Sequence, residues 1–335
     1  MRPQIIALGR SDNHPLLSSH ARAIGVGYLG IEAFEASDLM RDSKALNRWL
    51  DSISTEGQVA LAAIDSSVPS ATLKSFAALL NSELSKRGQT NLLLRTDPAL
   101  LHHRDHLEGT RVEVEVEVEK DALQLLSVAR SPHGQIAIWP ILTLNREGAI
   151  QFPPETGVDV QDKNEEGISL LMDQIIKEVQ ELSLVGVVNY IIDSGIEPAV
   201  EPAVDYGGTS IIGREFGAST YTFWSESASY TSITEQLVRA ILDLPLGDTR
   251  IIDFDQSFLE QEITLEDGMI NDSTRPLLHL YARNPRLKVR YLTDASDRDF
   301  SSVRLSLYAN TEAEAHHEMN HAIEFMLGRV DEHAP

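Results

Sequence analysis

Short apolar runs alternate with longer stretches of helical spacing over the first hundred residues. Residues 4–8 read as a buried strand, 9–13 as a loop and 14–24 as a helix. Strands at 26–31, 58–64 and 91–94 then alternate with helices at 37–53, 70–86 and 98–106. Such alternation predicts a parallel sheet covered on both faces. From Val112 the pattern changes to a strict period of two, with Glu113, Glu115, Glu117 and Glu119 alternating with valines. That is a strand with one apolar and one acidic face, and a solvated face of this kind also guards against edge pairing. Strands at 123–129 and 135–141 follow around the turn Ser131-Pro132-His133-Gly134, so this region reads as antiparallel.

A helix over 168–182 leads into a predicted hairpin. Its first strand is 187–192, its turn Asp193-Ser194-Gly195 and its return strand 199–204, with carboxylates at Asp193, Glu197, Glu201 and Asp205. Spaced carboxylates suit either a Mg²⁺ site, because hard cations take oxygen ligands, or a half-solvated hairpin. Beyond it come a helix over 233–242, an irregular acidic stretch over 253–272, strands at 277–281, 289–292 and 302–308, and a last helix over 312–327. The pattern divides the chain into residues 1–107, 108–250 and 251–335.

Charge and composition narrow the functions available. A net charge of −23, from 51 Asp and Glu against 28 Lys and Arg, argues against a nucleic-acid partner, which needs clustered basic residues. The chain has no cysteine, so disulfides, thiolate zinc sites and cysteine nucleophiles are excluded. No stretch reaches the roughly 18 apolar residues of a membrane span, and the N-terminus enters a strand without a signal-like apolar region, so a cytoplasmic protein is expected.

Several stretches share their order with one family. Thr234-Glu-Gln-Leu-Val-Arg-Ala-Ile-Leu-Asp-Leu-Pro-Leu-Gly-Asp-Thr249 is the most specific. Asp65-Ser-Ser-Val-Pro69, Pro98-Ala-Leu with Arg104-Asp105, Ser127-Val-Ala-Arg130 with Gly134 and Trp139-Pro140, and Leu278-His-Leu-Tyr281 with Lys288 and Thr293-Asp294 support it. Together they resemble carboxyaminoimidazole ribonucleotide synthetase, the ATP-grasp enzyme of purine biosynthesis that uses ATP and bicarbonate. The resemblance implies an α/β and α+β fold: an N-terminal parallel α/β domain, a central antiparallel ATP-grasp core and a small C-terminal β/α domain. It also implies Mg-ATP as cofactor and a homodimer. Glu115 falls at the family's purine-contacting glutamate, and Glu201 at its second metal glutamate, with Asp193 able to stand in for the first.

The departures from the family bear on chemistry. The lid that carries phosphate-binding lysines is nearly absent, since about seven residues separate Asp105 from Val112. Alignment from Gly186-Val187 places Ile191 at the first metal glutamate, Asp205 at an arginine and Tyr206-Gly207-Gly208 at the following histidine. A carboxylate in place of that arginine costs roughly 4 kcal/mol near an anion at about 4 Å. These substitutions predict a divergent homologue with impaired catalysis that binds a small anionic ligand or a partner; the rival is an enzyme with altered Mg-ATP chemistry.

Other constellations carry their own expectations. Arg283, Arg286, Lys288 and Arg290 concentrate positive charge in an acidic chain, where they either bind a nucleotide phosphate or pair with surface carboxylates. His317-Glu318-Met319-Asn320-His321 matches the zinc metallopeptidase signature H-E-x-x-H. On a wheel of about 100° per residue, however, both histidines lie opposite the core stripe through Ala315, Met319 and Ala322, which predicts an exposed face. His102-His103-Arg104-Asp105-His106 does not share one helical face and reads as a solvated helix end.

Overall fold

Strand β1 (Gln4–Leu8) is buried on both faces, and its alternation feeds two cores. Ile5 and Ala7 pack with Leu17 and Ala21, while Ile6 and Leu8 pack with Leu46, Leu50 and Phe76. A parallel strand of this kind must be covered on both sides. The computed structural model describes residues 3–52, 58–88, 92–95, 122–145, 150–151, 163–193, 210–252, 257–264, 274–293 and 300–329. Strands β1, β2 (Gly27–Ile31), β3 (Val59–Ala63) and β4 (Leu92–Arg95) form a parallel sheet in the order β2-β1-β3-β4. Helix α1 (His14–Ala23) covers one face; α2 (Ala33–Arg41), α3 (Ser43–Ser52) and α4 (Ser70–Lys86) belong to the other core.

The single helix expected over 37–53 is two. Asp42 leaves the helical region at φ −118° and ψ 97°, and its Oδ1 accepts the backbone N–H groups of Lys44 and Ala45 at 2.8 and 3.1 Å. An aspartate that caps a new helix start ends the old one. The expected helix over 98–106 and the acidic strand from Val112 lie outside the described residues.

The second sheet is antiparallel. Its strands are β5 (Ala122–Arg130), β6 (Ile136–Ile138), β7 (Leu142–Asn145), β8 (Ile150–Gln151), β9 (Gly186–Asp193), β10 (Ser210–Phe216), β11 (Ser257–Thr264), β12 (Lys288–Thr293) and β13 (Phe300–Ala309). Their order is β10-β9-β5-β7-β8-β11-β13-β12, with β6 on β5. Helix α5 (Lys163–Glu181) packs Leu171, Ile175 and Val179 against β5, β9 and β10. Its buried Glu178 holds Arg214 of β10 through two contacts of 3.0 and 3.2 Å. The short α6 (Ser225–Ala228) and α7 (Ile233–Leu242) fill the space between the two sheets with Trp224, Ile233, Leu237 and Val238. Helices α8 (Thr274–Arg283) and α9 (Glu312–Met326) cover β11 and β13 through Leu280, Ala315, Met319 and Phe325. No helix of the described residues is long and apolar enough to cross a membrane.

Two C-terminal expectations are corrected. Residues 277–281, expected as a strand, lie in helix α8: Pro276 sits in its first turn, where a missing N–H costs nothing, and Leu280 is buried while Leu278 and Tyr281 face outward. The acidic stretch over 253–272 contains strand β11, in which Phe258, Leu259 and Ile263 are buried. Its glutamates hide the strand pattern because Arg304 of β13 meets both Glu260 and Glu262.

The two sheets meet at one close approach. Ala218 donates its N–H to the Ile64 carbonyl at 2.6 Å, and Gly217 has φ +73°. A Cβ on Gly217 would lie 2.1 Å from that carbonyl oxygen. Gly217→Ala is therefore expected to destabilise the protein by on the order of 3 kcal/mol, combining backbone strain with a backbone collision. Gly88 has φ +75° with nothing within 4 Å of its Cβ direction, so Gly88→Ala is expected to cost about 1 kcal/mol from strain alone. Urea denaturation midpoints at constant slope measure both; equal shifts would show that the junction tolerates the methyl group.

Candidate functional site

Strand β9 pairs with β5 along one edge and with β10 along the other. Asp193 pairs with Ser210, Ile192 with Ile211, Ile191 with Gly213 and Asn189 with Glu215, with a bulge between Ile211 and Gly213. β9 therefore pairs with 210–216 rather than with the expected return strand, and Ser194 and Gly195 of the expected turn lie outside the described residues. The expected return strand over 199–204 lies outside the described residues, as do Glu201, Asp205 and Glu115. Residues 199–204 include Pro202, which would lack a ladder N–H, whereas Ile211, Ile212 and Phe216 give β10 the residues a strand prefers.

Ile191 therefore faces Gly213 rather than an acidic residue. Its side chain is 9% exposed, and a Cβ on Gly213 would lie 3.3 Å from its Cδ1. Ile191 thus offers no oxygen to a Mg²⁺ ion at the position of the first expected metal glutamate. Asp193 ends β9, opposite Ser210. Among the described residues, no cluster of three or more His, Asp or Glu side chains is arranged to hold a metal.

Two cavities flank Phe223. The first, about 120 Å³, lies where β1, β3 and β10 end and is lined by Arg10, Asn13, Asp65, Ser67, Glu215 and Ser219. Asp65 is fully engaged. Its Oδ2 accepts from the Arg10 backbone N–H at 2.8 Å and Asn13 Nδ2 at 2.9 Å, and its Oδ1 from the backbone N–H and hydroxyl of Ser67 at 2.9 and 2.5 Å. Glu215 differs: its buried Oε2 has no hydrogen-bond partner, and burial raises its pKa against the opposing pull of Ser219 and Arg10.

The second cavity, about 270 Å³, is lined by Tyr281, Lys288, Arg290, Arg304, Glu226 and Glu260. The Arg290 and Arg304 guanidiniums lie 4.1 and 5.1 Å from the Phe223 ring centroid. An aromatic face steadies a guanidinium without consuming its donors. Arg304 also contacts Glu260 at 3.3 Å and pairs with Glu262. Arg290 Nη1 is buried without a hydrogen-bond partner, and burial lowers the Arg290 pKa against the charges of Glu226 and Glu260. Burial pushes the Glu260 carboxyl up to about 7, even with Arg304 and Arg290 pulling the other way. Glu226, also buried, is held below its usual pKa: burial works against this, and the His20 partner at 3.0 Å outweighs it.

Of the four basic residues singled out in the sequence, Lys288 and Arg290 reach this cavity. Arg286 lies over Tyr308 at 4.6 Å, and Arg283 makes two contacts of 2.8 Å with Glu318. That pair also occupies the glutamate of the H-E-x-x-H motif. His317 is exposed and Met319 fully buried, as the helical wheel predicts, but His321, also expected in solvent, is half-buried against His279 of the neighbouring helix. Sequence reasoning missed Phe223, Glu260 and Arg304 as partners; the cross-strand pairing of Glu262 with Arg304 depends on a register that sequence alone does not set.

No protein-family model matches the chain. It is 28% identical over 205 residues to the N5-carboxyaminoimidazole ribonucleotide synthase of Mycobacterium leprae, a match covering 57% of this chain and 42% of that protein's length. The structure is similar to N5-carboxyaminoimidazole ribonucleotide synthetase from Thermotoga maritima, with a TM-score of 0.62 at 14% identity, covering 97% of this chain and 98% of that one. It is also similar to the Aspergillus clavatus synthase in complex with ADP and 5-aminoimidazole ribonucleotide, with a TM-score of 0.62 at 10% identity over 98% and 99% of the two chains. The parallel sheet, the antiparallel sheet and their order along the chain are those of these proteins. The chain accordingly has the fold of the N5-carboxyaminoimidazole ribonucleotide synthetases, to one of which it is also similar in sequence over 205 residues.

Proposed function

We propose that this chain is a divergent relative of the synthetases that has lost Mg-ATP-dependent carboxylation and binds a small anion in the cavity beside Phe223. The observation that carries the first half is Ile191, packed against Gly213, where the resemblance calls for the first metal-binding glutamate. An isoleucine at this position leaves a Mg²⁺ one oxygen ligand short. The nearly absent lid agrees with this, since a triphosphate needs backbone amides and cations around it.

The second half rests on the basic cavity. Arg290 presents a buried, unpartnered Nη1, and Lys288 and Arg304 line the same space. A phosphate or carboxylate there would receive charge-assisted hydrogen bonds, which are roughly twice as strong as neutral ones. Glu260 sets the local charge. When its carboxyl is protonated, it no longer offsets the positive charge of Arg290, while Arg304 keeps its Glu262 partner.

Calorimetric titration with Mg-ATP is expected to show no magnesium-dependent binding. Micromolar affinity that collapses in Glu201→Ala would overturn the loss of nucleotide chemistry. Titration with sulfate, whose charge is constant between pH 6 and 8, tests the cavity separately. Arg290→Gln is expected to weaken sulfate binding by roughly tenfold, the equivalent of about 1.4 kcal/mol.

The pH dependence has a definite sign. Glu260 takes up a proton as the pH falls through about 7, so sulfate binding should tighten from pH 8 to pH 6. Glu260→Gln should flatten that dependence. Equal affinity across this range in the unmodified protein would show that Glu260 does not govern the cavity.

A further inference from the structure

We propose that His279 and His321 form a surface site for one divalent transition-metal ion that bridges helices α8 and α9. The site stands apart from the anion cavity and does not rest on the function proposed above. The two imidazoles come from different helices, and their Nε2 atoms converge to 3.2 Å. Two metal–nitrogen bonds of about 2.1 Å at an angle of roughly 100° span about 3.2 Å, so the pair already has the bite of one metal centre.

The rings lie at the surface but rest on the core: His279 is exposed and His321 half-buried. His279 stacks on Phe325 with centroids 4.0 Å apart and planes 8° from parallel, and Phe325 is itself only 7% exposed. The same two helices are tied by the Arg283–Glu318 pair, which keeps their separation constant and leaves Glu318 committed. A preorganised pair of ligands loses less freedom on binding than two mobile ones.

The chemistry of the donors selects the ion. Neutral imidazole nitrogen suits Zn²⁺, Ni²⁺ or Cu²⁺, whereas Mg²⁺ and Ca²⁺ prefer oxygen. With two protein ligands, water fills the remaining positions, so the affinity lies below that of a four-ligand structural zinc site. The H-E-x-x-H motif thereby acquires a different reading. His321 works with His279 from the neighbouring helix, and His317, exposed one turn away, is not required.

The test is calorimetric titration of the full chain, without an affinity tag and first dialysed against EDTA, with Zn²⁺ at pH 7.5. One ion per chain is expected. Both His321→Ala and His279→Phe, which keeps the ring stacked on Phe325, should weaken binding at least tenfold. Zn²⁺ should raise the melting temperature of the unmodified protein and not of these variants, and all three should melt alike in EDTA. His317→Ala should bind like the unmodified protein. Retained binding in His279→Phe together with its loss in His317→Ala would overturn the proposal in favour of chelation by α9 alone. One full-affinity ion in a His279→Phe, His321→Ala double variant would place the metal elsewhere, and the absence of saturable binding would remove the site.

Discussion

The architecture turns on the contact between the end of β3 and the exit of β10, where Gly217 presses against the Ile64 carbonyl. Only a residue without a Cβ fits there, and the approach lets one segment serve two sheets. Ala218 donates to Ile64, Phe216 donates its N–H to Ser66 Oγ at 2.8 Å, and Asn13 reaches both Asp65 and the Ala218 carbonyl. On the other side, Asn189 Nδ2 donates to the Gly217 carbonyl at 3.1 Å and its Oδ1 accepts from Ser127. Buried polar groups satisfied on every side define one register more sharply than apolar packing does. Phe223 lies only six residues beyond Gly217, so the junction also places the aromatic face between the two cavities.

Those cavities show how an acidic chain assembles a basic pocket. Net charge describes the surface at long range; a site is governed by what lies within a few ångströms and by how much water is excluded. Lys288 and Arg290 enter from β12, and Arg304 from the paired strand β13, where it lies opposite Arg290. Two like charges facing each other across a ladder are unfavourable unless something answers them. Phe223 answers with its ring face, and Glu260 and Glu262 with their carboxyls from β11. Because Glu260 is buried, its carboxyl answers only when ionised, which links the balance of the pocket to pH.

Sequence patterns carried most of the architecture wherever one local signal dominated. Residues 70–86 and 233–242 read as the helices they form, since a long apolar stripe or a serine cap at Ser232 identifies them without tertiary help. Reading failed where a longer-range partner decided the outcome. The strand around Glu260 needs Arg304 to make its charges tolerable, and β9 pairs with Ser210–Phe216, farther along the chain than the return strand the pattern suggests. The candidate site divides the same way. Lys288 and Arg290 were visible as a basic cluster, but Phe223, Glu260 and Arg304 join them only through sheet register, and Arg283, equally basic, is turned by α8 toward Glu318.

The same distinction explains how the fold accommodates the apolar Ile191–Gly213 pair at the position where the resemblance places a metal-binding glutamate. Two glutamates facing each other across β9 and β10 with no cation between them would repel by roughly 4 kcal/mol at about 4 Å and an effective dielectric near 20. Ile191 against Gly213 carries no such cost and adds a buried contact beneath the bulge between Ile211 and Gly213. A strand pair that holds a cation is thus stabilised by carboxylates, and one that holds none is stabilised by removing them. The occupant of this position reports on the ion rather than on the sheet, which forms in either case from the ladder running from Asp193 to Val188. Fold and chemistry are separable here because the backbone ladder holds the strands while the side chain at position 191 is free to vary.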